Sequence, residues 1–259
     1  MGRWVNLYAV TALLATGLAL PGAASAGSGG SGLNPTGGMG STPSSGVASG
    51  NVPVTATSNG VTLTSNASAL LRNGLSFSGN APASAAGQTI AIERLGAQTH
   101  WRWSPTVSAP VAGDGSFSVA WSASHIGRFL IRAVIVSGPN TSITAASASP
   151  ASASAPTVTT TVYRQAIATQ YGPGFYGQRT ACGRRLTKST IGVANRTLKC
   201  GSRVAILYRG RTMVVPVIDR GPYANHADWD LTEATGQALG ISGTATIGAV
   251  SLPRQPPRP

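Results

Sequence analysis

Carboxylates are scarce in this chain, and two of them stand where chemistry is easily built. The 259 residues hold only six acidic side chains: Glu93, Asp114, Asp219, Asp228, Asp230 and Glu233. Asp219 ends an apolar run, Thr212-Met213-Val214-Val215-Pro216-Val217-Ile218, and a Gly221-Pro222 turn follows it closely. Asp230 comes eleven positions later, where an amphipathic stretch begins. Paired carboxylates suit general acid–base work on a glycosidic bond, one as acid and the other as base or nucleophile. Each also has a purely structural reading: Asp219 as a turn-capping or ion-paired residue, Asp230 as a helix N-cap with Glu233 completing a capping box. Asp228 reads as a solvated loop acid and Glu93 as a solvated strand residue.

Cys182 and Cys200 are the only cysteines. In an oxidising compartment such an isolated pair is most simply one disulfide, worth about 3 kcal/mol for a loop of this size. Two thiols with one nearby histidine, His226, do not make a zinc site, so no metal or other cofactor is expected. Tyr171, Phe175, Tyr176 and Tyr223 flank the acidic motifs, where aromatic faces can stack on sugar rings; packing in a core is the equal alternative. Arg179, Arg184, Arg185 and Arg196 could meet phosphates or carboxylates of a partner, or form a solvated basic face.

The elements that must position these residues follow from composition. Charged residues are only 10% and hydrophobics 42%, which suits short strands and turns. The net charge is +13, so acidic partners are expected. The N-terminus narrows them. Arg3, an apolar run over residues 9–20, Pro21-Gly22 and the small-residue site Ala24-Ser25-Ala26 read as a signal peptide over 1–26. The apolar run is short for a membrane span. Export argues against nucleic acid as a partner and for an anionic polymer of the cell envelope, with the protein secreted into the cell wall or envelope.

Residues 27–50, mostly Gly, Ser, Thr and Pro, read as a flexible linker. Over 51–148, strand-like alternation recurs in Val61–Thr64, Leu75–Gly79, Ile90–Arg94, Phe117–Trp121 and Phe129–Val136, separated by turn signals such as Asn73-Gly74 and Gly113-Asp114-Gly115. That pattern predicts an Ig-like β-sandwich. Trp101, Trp103 and Trp121 are expected to pack in its core or interfaces rather than form a sugar platform. Residues 149–161 read as a second linker. The region 162–252 carries both cysteines and most of the basic residues, and 253–259 is a Pro/Arg tail. Its strands are expected over 165–169, 203–208, 212–218 and 243–250, with a hairpin at Arg209-Gly210-Arg211 and a short helix ending at Gly240.

The order Ala168-Thr169-Gln170-Tyr171-Gly172, Thr180-Ala181-Cys182-Gly183, Ala194-Asn195-Arg196-Thr197-Leu198, Cys200-Gly201-Ser202-Arg203-Val204, Asp219-Arg220-Gly221-Pro222-Tyr223 and Asp230-Leu231-Thr232 resembles the rare lipoprotein A family. The resemblance covers about 166–250. It implies an all-β chain that ends in a six-stranded double-psi β-barrel with one or two short helices, related to expansins and barwin-like proteins. It further implies peptidoglycan as partner and, in some members, lytic transglycosylation. Asp219 and Asp230 match motif acids and are the catalytic candidates. Tyr171, Thr180, Asn195, Arg220 and Tyr223 are the substrate-binding candidates. The chain departs from the pattern at three points: Arg184 and Thr187 stand where the family's catalytic members usually carry acids, and Asn195 where they carry His. Two functions therefore stay open. One is lytic cleavage of peptidoglycan by a single carboxyl group; the other is a non-catalytic, expansin-like or barwin-like wall-binding module.

Overall fold

The computed structural model describes residues 48–49, 52–136, 154–224 and 226–253. The expected signal peptide and most of the first linker lie outside these residues, as do 137–153 and 254–259. Within the expected linker, β1 (Ala48–Ser49) pairs with Thr212 and Arg211 of a later strand.

The first half is built from β2 (Pro53–Ser58), β3 (Val61–Asn66), β4 (Ser68–Leu70), β5 (Gly74–Asn80), β6 (Thr89–Leu95), β7 (Ser104–Pro110), β8 (Ser116–Ser122) and β9 (Gly127–Val136). One sheet runs β2-β3-β5-β8, and β7-β6-β9 continues into β10 (Thr157–Tyr171). The period-2 pattern explains the packing. In β5, Leu75 and Phe77 are buried while Ser76 and Ser78 are exposed. They share one core with Leu63, Ile90, Ile92, Phe129 and Ile131. Trp121 packs there too, stacked on Phe77 and edge-on to Phe129, each at 6.4 Å between ring centroids. Strand β7 holds Pro105 and Pro110 and sits at the sheet edge, where a missing N–H is tolerated.

Glu93 departs from its expected solvated state. It is 1% exposed and ion-paired to Arg132 at 2.6 Å, its direct cross-strand partner in β9. The Arg132 guanidinium lies 4.3 Å from the centre of the Trp103 ring. Both faces of β6 are covered, so alternation does not deliver Glu93 to water.

Residues 157–161, expected as linker, are the start of β10. Thr157–Val162 pair with β9, and Thr161–Tyr163 pair with β4. Val158, Thr160 and Val162 are buried, and β-branched threonine suits a strand as well as a linker. The same strand then enters the second half, so one continuous ladder joins the two.

There β11 (Val193–Ala194), β12 (Arg203–Tyr208), β13 (Arg211–Asp219), β14 (Trp229–Thr232) and β15 (Ala245–Leu252) complete a ring with β10. The order β14-β11-β13-β12-β15-β10 closes because β10 also pairs with β14, giving a closed six-stranded barrel. Its core holds Val204, Ile206, Val215, Val217, Leu231 and Ile247. The hairpin between β12 and β13 turns on Arg209 and Gly210, both at positive φ (46° and 75°), as a two-residue turn requires. A small separate cluster, Tyr163, Ala205, Val250 and Leu252 with Leu70 and Ile126, packs the barrel against the first half.

Helix α1 (Glu233–Leu239) ends at Gly240 in the left-handed region. Its N-cap is Thr232, whose hydroxyl accepts from the Thr235 amide at 3.3 Å, and not Asp230. Strand pairing with β10 continues to Thr232, which moves the helix start two residues later and frees the Asp230 side chain.

Candidate functional site

Four strands bring the acids together. Asp219 is the last residue of β13 and Asp230 lies within β14. Ala194 of the two-residue β11 stands between them, in register with Asp219 on one side and Asp230 on the other. An extra residue in β13 opposite Val193/Ala194 makes this alignment, a bulge of the kind that re-aims a side chain. Beyond β14, Thr169 of β10 is in register with Asp230. Tyr171 lies two residues further along β10, on the same face by strand periodicity.

The two carboxylates are held differently. Asp219 Oδ1 accepts from the Ala181 and Arg220 amides, each at 2.8 Å. Asp230 is half-buried, and its Oδ1 accepts from the Thr169 hydroxyl at 2.8 Å. Burial pushes the Asp230 pKa up and the Asp219 charge adds to it, against the opposing Thr169 bond. The Tyr171 hydroxyl is buried and within reach of the Asp219 carboxylate, without a hydrogen bond of ordinary geometry. Burial, then the charges of Asp219 and Asp230 and the hydrogen-bonding interaction with Asp219, raise its pKa, so the phenol stays protonated. A ligand oxygen placed here would compete with Asp219 for that proton.

The rim is aromatic. Phe175 is 53% exposed and meets Tyr171 edge-on at 6.5 Å, while Tyr223 is 80% exposed. The Tyr176 hydroxyl donates to Glu233 Oε2, which ties the 172–177 loop to α1. Gly172 sits at this crossing, where a Cβ would come within 2.7 Å of that hydroxyl.

The remaining expected residues are placed as follows. Thr180 is buried, and its hydroxyl accepts from the Arg184 amide at 3.2 Å. Asn195 Oδ1 accepts from the Thr197 and Leu198 amides, closing its own turn. Arg220 donates through Nη1 to the Asp219 and Asn195 carbonyls at 3.2 and 3.4 Å. Cys182 and Cys200 form the disulfide. It anchors the segment whose Ala181 amide holds Asp219. Arg196 donates to the Pro222 and Ala227 carbonyls at 2.7 and 3.0 Å, so it braces the loop carrying Tyr223. Asp228 lies in the loop before β14, part-exposed, and its Oδ2 accepts from the Ile167 amide at 3.1 Å, which ties the loop to β10. Arg184 and Thr187 are exposed; the Thr187 hydroxyl bonds Thr190 at 2.8 Å. Thr169 and Ala194 were not singled out by sequence; the spacing of Thr169 and Tyr171 by two was the one signal for the former.

The class these features define is a closed six-stranded β-barrel with an acid pair and a buried phenol on one face. Residues 164–252 match the family model described as "Lytic transglycolase". The same region is 41% identical over 88 residues to the probable endolytic peptidoglycan transglycosylase RlpA of Synechocystis sp., covering 33% of this chain and 27% of that one. It is 34% identical over 85 residues to the endolytic peptidoglycan transglycosylase RlpA of Campylobacter jejuni, covering 31% of each chain. The chain thus spans less than a third of the length of these relatives. Among solved structures, a Clavibacter michiganensis expansin is 25% identical with a TM-score of 0.29, over 37% of this chain and 52% of that one.

Proposed function

We propose that this is an exported cell-envelope protein whose barrel binds peptidoglycan glycan strands at Tyr171, Asp219 and Asp230 and cleaves them lytically. An Ig-like domain precedes the barrel in this reading. The observation that carries it is Asp230: a half-buried carboxyl with a raised pKa, beside a second acid and a buried phenol. Such a group holds its proton at higher pH than a free carboxyl and suits general acid catalysis. It protonates the glycosidic oxygen as the bond to the muramyl C1 breaks. The resulting carboxylate then takes the proton of the muramyl 6-hydroxyl, whose oxygen closes on C1. No water is consumed, so one carboxyl suffices. Tyr171 donates to a sugar oxygen, and Phe175 and Tyr223 stack on ring faces. The peptidoglycan-directed names of the barrel's relatives support the substrate class.

A second reading has its own support. Arg184, Thr187 and Asn195 occupy the positions where acids and His are usual in catalytic members, and Asn195 closes a turn. This favours a wall-binding module without chemistry. Incubation with peptidoglycan and with denuded glycan strands separates the two: 1,6-anhydromuramyl-ended products, with stem peptides from the former and without them from the latter, are released only by the enzyme, while sedimentation with the polymer and no product marks the module.

A further inference from the structure

A second concave site lies between the two halves of the chain. It is a cleft of about 940 Å³ lined on one side by Trp101, Arg128 and Leu130 and on the other by Lys199, Arg203 and Leu252. Three cations meet here. All six acidic residues of the chain are placed elsewhere, and none lines the cleft. Arg128 has only a long bond from Nε to the Thr161 hydroxyl at 3.4 Å. Burial lowers its pKa, the Tyr163 phenol opposes that, and the like charge of Arg203 adds to it. Concentrated positive charge with no internal counter-ion attracts an external anion.

The walls are fixed rather than loose. Strand β10 runs through both halves, and Leu252 belongs to the cluster that packs them together. The Lys199–Ser202 segment is held by the Cys182–Cys200 disulfide and by the Gly201 amide on the Val217 carbonyl at 2.8 Å. Trp101 is presented from a turn in which it and His100 both have positive φ, 58° and 53°. Two consecutive non-glycine residues in that region are costly and persist only where surroundings impose them. The Trp101 amide bond to Gly96 at 2.9 Å is part of that restraint.

We propose that this cleft is a second polysaccharide site, specific for an anionic glycan. The acid group lies on Arg128, Lys199 and Arg203, and a sugar ring lies on Trp101 with its C–H face toward Leu130 and Leu252. Guanidinium groups pair well with phosphate and carboxylate alike. A single aromatic platform matches one sugar ring, whereas single-stranded nucleic acid uses successive aromatic stacking positions along a groove. The inference does not depend on cleavage at Asp230, because no residue of the acid pair lines the cleft.

The test measures dissociation constants for the full chain at low ionic strength with four probes: a phosphomannan, polygalacturonate oligomers, neutral chitin oligomers and oligothymidylate. Binding is expected to one or both anionic glycans, and which of them binds tells phosphate from carboxylate. The Arg128→Gln/Arg203→Gln variant should weaken it by roughly tenfold or more, as loss of charge-assisted hydrogen bonds does. Trp101→Ala should weaken it as well, with Trp101→Phe restoring most of it. Arg164→Gln/Lys188→Gln, on exposed positions that do not line the cleft, is the control and should change it less than about twofold. Chitin oligomers that bind at the barrel instead should be unaffected by the cleft variants. The proposal is overturned by equal losses in cleft and control variants, by binding of neither anionic glycan, or by oligothymidylate binding most tightly and independently of Trp101.

Discussion

Asp219 and Asp230 stand on either side of Ala194, each its direct cross-strand neighbour, so two acids eleven positions apart in sequence share one face of the barrel. The Asp219 charge acts on Asp230, and both charges act on Tyr171. The site is thus a product of barrel closure, and its behaviour can be predicted from how each group is held.

Asp230 makes stability depend on pH in a definite direction. With its folded pKa raised, the native state keeps this proton where the unfolded chain has lost it. Its contribution is most favourable below the ordinary carboxylate range, about 3.9, and declines as pH rises until Asp230 ionises in the fold. Asp230→Asn removes that decline, and Asn can still accept from Thr169. Melting curves across this range should show the variant gaining on the parent as pH rises; parallel curves would sink the assignment.

Tyr171→Phe separates binding from stability. It deletes a buried hydroxyl that makes no well-formed hydrogen bond and has only its interaction with Asp219, so stability should change by less than about 1 kcal/mol. Affinity for denuded glycan strands should fall by roughly tenfold. A clear loss of stability in chemical denaturation would mean that the hydroxyl is paired within the fold.

Gly192→Ala should disturb the site through packing. A Cβ there would lie 2.6 Å from both Cδ1 and Cγ1 of Ile218, the residue before Asp219. Overpacking of this kind costs about 1–3 kcal/mol. Because Gly192 leads directly into Val193–Ala194, glycan affinity should fall along with the melting temperature. A variant with unchanged stability would show that Ile218 has room to move.

Glu93→Ala tests the first half of the chain. It removes the buried carboxylate that pairs with Arg132, which should destabilise the fold by more than about 1 kcal/mol. Denaturant unfolding should register that loss, and a change below about 1 kcal/mol would mean that water reaches the pair.

Much of this architecture is legible in the sequence, and the exceptions have physical causes. Apolar alternation locates β12, β13 and most of β15, and Arg209-Gly210-Arg211 locates their hairpin. Strands β11 and β14 are two and four residues long, too short to show a period. The threonine run at 157–161 has a linker's composition and a strand's β-branching, and pairing with β9 decides it. Asp219 at the end of a strand is legible; its alignment with Asp230 is not, because it depends on one extra residue in β13 and on ring closure. Asp230 resembles an N-cap until Thr232 is seen to fill that role. The Glu93–Arg132 pair is a cross-strand relationship between residues 39 positions apart, invisible in any local window.

The most direct test of the account is product analysis after incubation of the protein with purified peptidoglycan and with denuded glycan strands. The prediction is release of 1,6-anhydromuramyl-ended products by the parent protein, anhydromuropeptides from peptidoglycan and peptide-free oligosaccharides from denuded strands, and its loss in Asp230→Asn, with binding to the polymer retained. Absence of such products from both substrates, or undiminished release by Asp230→Asn, would contradict it.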